Sequence, residues 1–175
     1  MKKQRTKTKC SRWCLFLIGG IVILSARPIR SSHFYSANCC YAAEKTYAQT
    51  IQEQKRYLVD KTNEERMKNG LSHLAEDEKL SSAAMVRAEE QHRLFSHIRP
   101  DGSPFYSVFS QYGIGGNMRG ENLARGLPEA CERVFQGWLE SCSHRDNILF
   151  GQFTKIGIGY AESNGIGCWC MLFAN

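Results

Sequence analysis

Residues 153–174 read FTKIGIGYAESNGIGCWCMLFA, and they decide the fold class. Ile156, Ile158 and Tyr160 alternate with glycines, the period-2 pattern of a strand. Ser163-Asn164-Gly165 has the composition of a tight turn, and Cys168 to Phe173 reads as a second strand. Together they predict an antiparallel hairpin at the end of a chain whose other segments read as helices. Helices set against an antiparallel hairpin point to an α+β layered domain.

Three helices are predicted upstream. Glu44 to Lys68 has no Pro or Gly, and it stops at Asn69-Gly70, a C-terminal stop signal. Ile51, Leu58 and Thr62 form its stripe, with Val59 and Met67 beside them. A second helix spans Asp77 to Phe95. Its inward face holds Leu80, Ala84, Arg87, Ala88, Gln91 and Phe95, and the small Ala83, Ala84 and Ala88 allow another element to approach closely. The third begins near Pro128 and Glu129, which suit a first turn. Cys131, Val134, Phe135, Trp138, Leu139 and Cys142 then recur as one apolar face. Between the second and third helices, Arg99-Pro100-Asp101-Gly102 reads as a turn and Phe105–Tyr112 as a short helix. Gly113–Arg125 reads as an irregular glycine-rich segment containing a short strand.

Residues 1–43 differ from the rest. Eight of the 23 Lys and Arg residues fall there and no acid does, so from Glu44 onward 15 bases face all 17 acids, a formal charge of −2. The whole-chain charge of +6 is therefore a property of the leader, and a nucleic-acid partner is excluded, because phosphate binding needs basic residues on the folded surface. Within the leader, an apolar run from Trp13 to Leu24 follows twelve basic and polar residues. This reads as a signal peptide, with an uncleaved signal anchor as the alternative. Small residues that suit a peptidase occur at Ser36-Ala37 and Ala42-Ala43. Cys39 and Cys40 lack a lipobox, which argues against a lipoprotein. Either reading places the rest of the chain outside the cytosol, with membrane contact only through an uncleaved N-terminal segment. Residues 44–54 then form the start of the first helix or a linker, and 55–175 the folded domain.

Four cysteines lie in that domain: Cys131, Cys142, Cys168 and Cys170. Cys131 and Cys142 are eleven residues apart on one helix, about 16 Å at helical rise, beyond the reach of a disulfide. A bridge, if formed, joins the helix to the last strand, with Cys142 the nearer partner; the alternative is buried free thiols. No second Cys-x-x-Cys accompanies Cys168-x-Cys170 to suggest a metal site. Among the histidines, His97 follows the second helix and His144 the third, with Glu121 between them in sequence. Converging, these three would make either a divalent metal site with open positions or a hydrogen-bonded polar cluster. Several motifs are discarded. His144-Arg145-Asp146 lacks the downstream Asn of a kinase loop, Gly113-Ile114-Gly115-Gly116 follows no strand, and no Gly-x-Ser-x-Gly occurs.

Seven segments occur in a recognisable order: LVDKTNEERMKNGLSHL (58–74), LSSAAMVRAEE (80–90), FSHIRPDGS (95–103), GENLA (120–124), WLESCSHRDNIL (138–149), FTKIGIGY (153–160) and WCMLFA (169–174). Over residues 55–175 the chain resembles the bacterial branch of the CAP superfamily. That family's SCP domain is shared with cysteine-rich secretory proteins, antigen 5 and plant pathogenesis-related 1 proteins. The resemblance implies a three-layer α-β-α sandwich with a small antiparallel sheet between helices, and a central cleft with two histidines and two acids. His97, Glu121 and His144 match three of those four positions. The fourth falls on Ser141, and Glu140 is displaced by one position, about 100° around a helix. In some members such a cleft holds a divalent ion such as zinc, which here would be bound by His97, His144 and Glu121. Three functions follow as expectations. The first is an extracellular binding module for a metal, a lipid, a peptide or an envelope component. The second is a metal-dependent, peptidase-like hydrolase with Glu121 as base and Glu140 as a candidate second acid. The third is a structural protein of the cell envelope or spore surface.

Overall fold

The structure, a computed structural model, describes residues 37–175, with side chains from residue 50 onward. The leader and its signal-peptide or anchor reading lie outside the described residues, as do the side chains of Cys39 and Cys40. The elements are α1 (Ala37–Lys68), β1 (Ala75–Glu76), α2 (Glu78–Glu90), α3 (Ser107–Gln111), β2 (Arg119–Gly126), α4 (Cys131–Glu140), α5 (Cys142–Ile148), β3 (Lys155–Ser163) and β4 (Ile166–Ala174). The sheet order is β1-β3-β4-β2. The two long pairings, β3 with β4 and β4 with β2, are antiparallel, and the two-residue β1 adds a parallel edge against Lys155 and Ile156.

The hairpin forms as its sequence predicts. Asn164 and Gly165 both have positive φ, 52° and 72°, the type I′ geometry that matches the twist of the flanking strands. Every residue from Gly167 to Ala174 is buried, because β4 is central and covered on both faces. Trp169, Met171 and Phe173 face one way, into a core with Leu58, Val59, Val134, Trp138, Ile148, Ile156 and Ile158. Cys170, Leu172 and Ala174 face the other, into a core with Leu80, Ala83, Ala84, Ala88, Val108, Phe109 and Leu123. Thus α1, α4 and α5 cover one side and α2 and α3 the other, an α-β-α sandwich.

The glycines of β3 set how closely α2 can lie. A Cβ on Gly159 would overlap the carbonyl group of Ala84, and one on Gly157 would overlap the backbone between Leu80 and Ser81. The alanines of α2 and the glycines of β3 therefore meet backbone to backbone. Asp77 starts α2 by accepting from the Leu80 N–H at 2.9 Å.

Several boundaries differ from those predicted. The first helix begins seven residues earlier than expected, at Ala37. Met67 is 55% exposed, and Arg66 takes the buried position instead. Arg66 donates to the carbonyls of Ser72, Ile148 and Phe150 at 2.8–3.0 Å, and so satisfies the C-terminal end of α5. The second helix stops at Glu90, which leaves Phe95 48% exposed rather than on the inward face. Pro128 and Glu129 form a turn before α4 rather than its first turn. The single third helix is two. Ser141 is extended (φ −87°, ψ 117°), so the apolar stripe ends at Trp138 and Leu139, and Cys142 is exposed at the start of α5.

That geometry also settles the cysteines. Cys131, Cys142, Cys168 and Cys170 are all free. Cys170 belongs to the core under α2, whereas Cys131 packs in the core under α1 and α4. The helix-to-strand bridge is not formed, because the sheet itself separates the two sets.

Replacing Gly159 with Ala should destabilise the fold by about 3 kcal/mol, the upper range for overpacking a filled core. Gly115→Ala, where a Cβ meets nothing within 4 Å, should leave the urea midpoint unchanged.

Candidate functional site

Arg87 and Glu90 lie one turn apart on the inner face of α2, both buried. A guanidinium there must be paired, since an isolated buried charge is prohibitively unfavourable. Arg87 meets Glu121 of β2 side-on, Nε to Oε2 at 2.7 Å and Nη2 to Oε1 at 3.2 Å. Its Nη1 donates to Glu90, and its Nη2 also donates to the Ser96 carbonyl at 2.8 Å. Arg99, returned by the Arg99–Gly102 turn, closes the set by donating to Glu90 Oε1 at 2.7 Å and to Ser107 Oγ at 3.0 Å. Two arginines and two glutamates thus neutralise one another inside the protein.

This network holds the loop that carries His97. The Ser96 carbonyl accepts from both Arg87 and Gln91, and the Ser96 N–H donates to Gln91 Oε1 at 2.9 Å. The Phe105 N–H donates to the His97 carbonyl at 2.9 Å, which folds residues 97–105 back on themselves. His97 then places Nδ1 2.8 Å from Glu121 Oε1, with its side chain 54% exposed.

The Gly120-Glu121-Asn122 segment serves both faces of the sheet. Gly120 is required because a Cβ would meet the Phe153 ring at 2.9 Å. Glu121 points toward α2 and His97. Asn122 points toward α5, where it donates to the His144 carbonyl at 2.9 Å and accepts from Asn147 Nδ2 at 2.9 Å. One short strand segment therefore positions both histidines, whose ring centroids are 6.5 Å apart. His97, Glu121 and His144 do converge. Glu140 does not join them: it is exposed at the end of α4, accepting from Gln136 at 3.1 Å. Ser141 and His144 instead line the end of a groove of about 520 Å³ between β2 and α4.

The environment of these groups constrains their chemistry. Burial, followed by the charge of His97, holds His144 below the usual imidazole range, favouring its neutral form. Burial raises the Glu90 carboxyl, but the hydrogen bonds from Arg99 and Arg87 outweigh it and leave the group below its usual range. Burial and then Glu121 hold the Cys170 thiol well above its usual value, so it is no nucleophile. Both oxygens of Glu121 accept from Arg87, and Oε1 also meets His97. Oε2 also meets Cys170 Sγ at 3.7 Å, so each carboxylate oxygen has two partners in this arrangement, and a cation there would sit beside a guanidinium. Among the described residues no group of three or more His, Cys, Asp and Glu side chains is positioned to hold a metal ion.

Arg87, Glu90, Arg99, Asn122 and Asn147 were absent from the candidates read from sequence. The available signal was Arg87 on the predicted inward face of α2, since a charge placed there requires an acid from elsewhere.

The fold and this His/Glu/Arg cluster define a class of protein. The model of the cysteine-rich secretory protein (CAP) family matches residues 59–173, and the chain belongs to that family. It is 38% identical over 139 residues to the uncharacterized protein YkwD of Bacillus subtilis, a match covering 75% of this chain and 52% of YkwD. An extracellular SCP-domain protein from Bacillus anthracis has a similar structure (TM-score 0.63, 26% identity, 71% of this chain and 41% of that one). So does an outer surface protein from Borrelia burgdorferi (TM-score 0.63, 27% identity, 69% and 91%). The chain therefore spans only about half the length of YkwD and less of the B. anthracis protein.

Glu121→Gln should destabilise the protein by about 3–5 kcal/mol, the range for breaking a buried ion pair. Combined with Arg87→Met, the loss in urea denaturation should fall well short of the sum of the two single losses. The fold should also be acid-labile. Glu90 contributes stability above the ordinary carboxylate pKa, and this is lost as pH falls through its depressed value. His144 contributes stability above the ordinary imidazole pKa, lost as pH falls through its own depressed value. The melting temperature should therefore drop from pH 7 to pH 4, and Glu90→Gln should flatten the lower part of that curve.

Proposed function

We propose that this chain is an extracytoplasmic binding module rather than an enzyme, and that its ligand lies in the groove ending at His144 and Ser141. The observation that carries the reading is the state of Glu121. A general base or metal ligand needs a free oxygen lone pair aimed into open space, and in Glu121 each oxygen meets two partners, Oε1 facing Arg87 and His97 and Oε2 facing Arg87 and Cys170. The carboxylate is then a brace for the cleft wall. Ser141 and His144 supply a polar end to the groove, and the His97 ring lies 6.5 Å from that of His144; if a divalent ion such as zinc binds this family member, these two imidazoles are its available donors. The groove has the size of an ordinary ligand pocket. Apolar Leu123, Leu127, Ala130, Val134 and Trp138 line it, with few polar groups among them. The basic and apolar leader supports export, as do the similar extracellular and outer-surface proteins of B. anthracis and B. burgdorferi.

The test separates binding from hydrolysis. Gly137 lines the groove at an exposed helix position where a Cβ meets nothing within 4 Å, so Gly137→Trp is chosen to place a bulky side chain in that space. Native mass spectrometry of the exported protein, incubated with lipid and peptide fractions of the cell envelope, should show a retained small ligand that this variant loses. Zinc-dependent turnover of a peptide library, lost in His97→Ala and His144→Ala, would instead establish the hydrolase.

A further inference from the structure

β2 is an edge strand, and the register shows which of its backbone groups face outward. The Thr154 N–H donates to the Ala174 carbonyl, so residue 174 directs its backbone toward the β3 side of β4. Residues 172, 170 and 168 do the same by strand alternation, and 173, 171, 169 and 167 turn to β2. Their partners in β2 are Gly120, Asn122, Ala124 and Gly126. The outward-facing residues of β2 are therefore Arg119, Glu121, Leu123 and Arg125.

An open sheet edge invites another strand, and proteins usually cover it. Here the cover is partial. The Glu121 carbonyl accepts from Asn147 Nδ2 at 3.2 Å, and the Leu123 carbonyl accepts from Trp138 Nε1 at 3.0 Å. Beyond Trp138 the cover ends. The backbone N–H and C=O of Arg125 have no hydrogen-bond partner among the described residues. That open stretch borders the groove whose opposite wall is Val134 and Trp138 of α4, with Ala130 just before that helix. The lining also has a sign: it contains Arg125 from the strand and Arg133 from the helix, and no Asp or Glu. Arg125 is held in place by stacking on Phe95, 5.3 Å from the ring centroid, and by donating to the Gln91 carbonyl. Arg133 is exposed.

We propose that the groove takes a short extended peptide with acidic side chains, which pairs its main chain with the open edge of β2 at Arg125, lays apolar side chains over Val134 and Trp138, and sets its carboxylates against Arg125 and Arg133. The backbone edge supplies the pairing, the groove supplies side-chain room, and the arginines supply the sign of the charge. The proposal rests on the binding-module reading above and narrows its ligand to one class.

The test uses the full-length protein and blocked five-residue peptides. One alternates Val and Glu; a second replaces Glu with Lys; two more are the Glu peptide N-methylated on one or the other alternate set of backbone nitrogens. A strand paired along one edge uses only one set of its N–H groups. By fluorescence anisotropy, the Glu peptide should bind and the Lys peptide should bind at least tenfold more weakly. One N-methylated isomer should lose at least tenfold, and the other should stay within about twofold. Arg133→Glu should weaken binding about tenfold, and Gly137→Trp should abolish it with the melting temperature kept. Equal binding by both N-methylated isomers, or by the Glu and Lys peptides, overturns the proposal. Oleate binding that is lost in Gly137→Trp, without peptide binding, overturns the peptide assignment and leaves the binding module standing. If neither peptide, oleate nor an envelope fraction binds the wild-type protein, both readings fall.

Discussion

A guanidinium enclosed by protein must have its charge answered, and the architecture around the cleft follows from answering that of Arg87. Its carboxylate partners come from two places: Glu90 on its own helix and Glu121 on the far edge strand. Glu90 in turn is shared with Arg99 from the returning loop. Helix, loop and strand are therefore joined by ion pairs in a region of low dielectric, where removing one member leaves its partner exposed to the full desolvation penalty. Such a network ties the three elements to one another through the contacts of Arg87 with Glu90 and Glu121 and of Arg99 with Glu90. It specifies where Ser96 and His97 sit, and through Glu121 it specifies how that loop registers against the sheet.

The network can close only because α2 lies so near β3 and β4. Arg87 is one turn beyond Ala84, whose carbonyl leaves no space for a Cβ at position 159. Larger residues at Gly157 or Gly159 would push the helix outward and draw Arg87 away from Glu121. Close backbone packing on one side of the sheet thus positions the polar chemistry at its edge. On the other side, packing is by large side chains: Trp138, Trp169, Phe153 and Phe173, the last two stacked at 5.3 Å. There the sheet edge is guarded by the Trp138 indole and the Asn147 amide, and that guard ends where the groove begins. The two halves of the cleft, one charged and closed, the other apolar and open, arise from two different ways of packing helices on one sheet.

Much of this was legible in the linear chain. The Ile-Gly-Ile-Gly alternation, the Asn164-Gly165 turn and the alanines of α2 read correctly as a hairpin and a helix meant to approach something closely. The breaks were not legible. Residues 128–142 carry an unbroken helical stripe, and nothing local shows that Ser141 becomes extended; the stripe continues in sequence while the chain turns to bury Ile148. Phe95 fits the inward face of α2 by spacing, but the helix has already ended where Arg87 and Gln91 capture the Ser96 backbone. Cys142 and the cysteines of β4 looked like partners because sequence does not record which side of a sheet each occupies.

The sequence by itself determined the layered α+β class, the hairpin, the family and the candidacy of His97, Glu121 and His144. Those rest on local periodicity, turn chemistry and ordered segments, all of which are written along the chain. Only the tertiary structure decided what Glu121 is free to do, because that depends on Arg87, 34 residues away in sequence and 2.7 Å away in space. The same holds for the groove: its open backbone edge exists because β2 is last in the sheet and Trp138 covers it only in part. Strand order and side-chain reach are long-range outcomes of packing, and no local pattern encodes them.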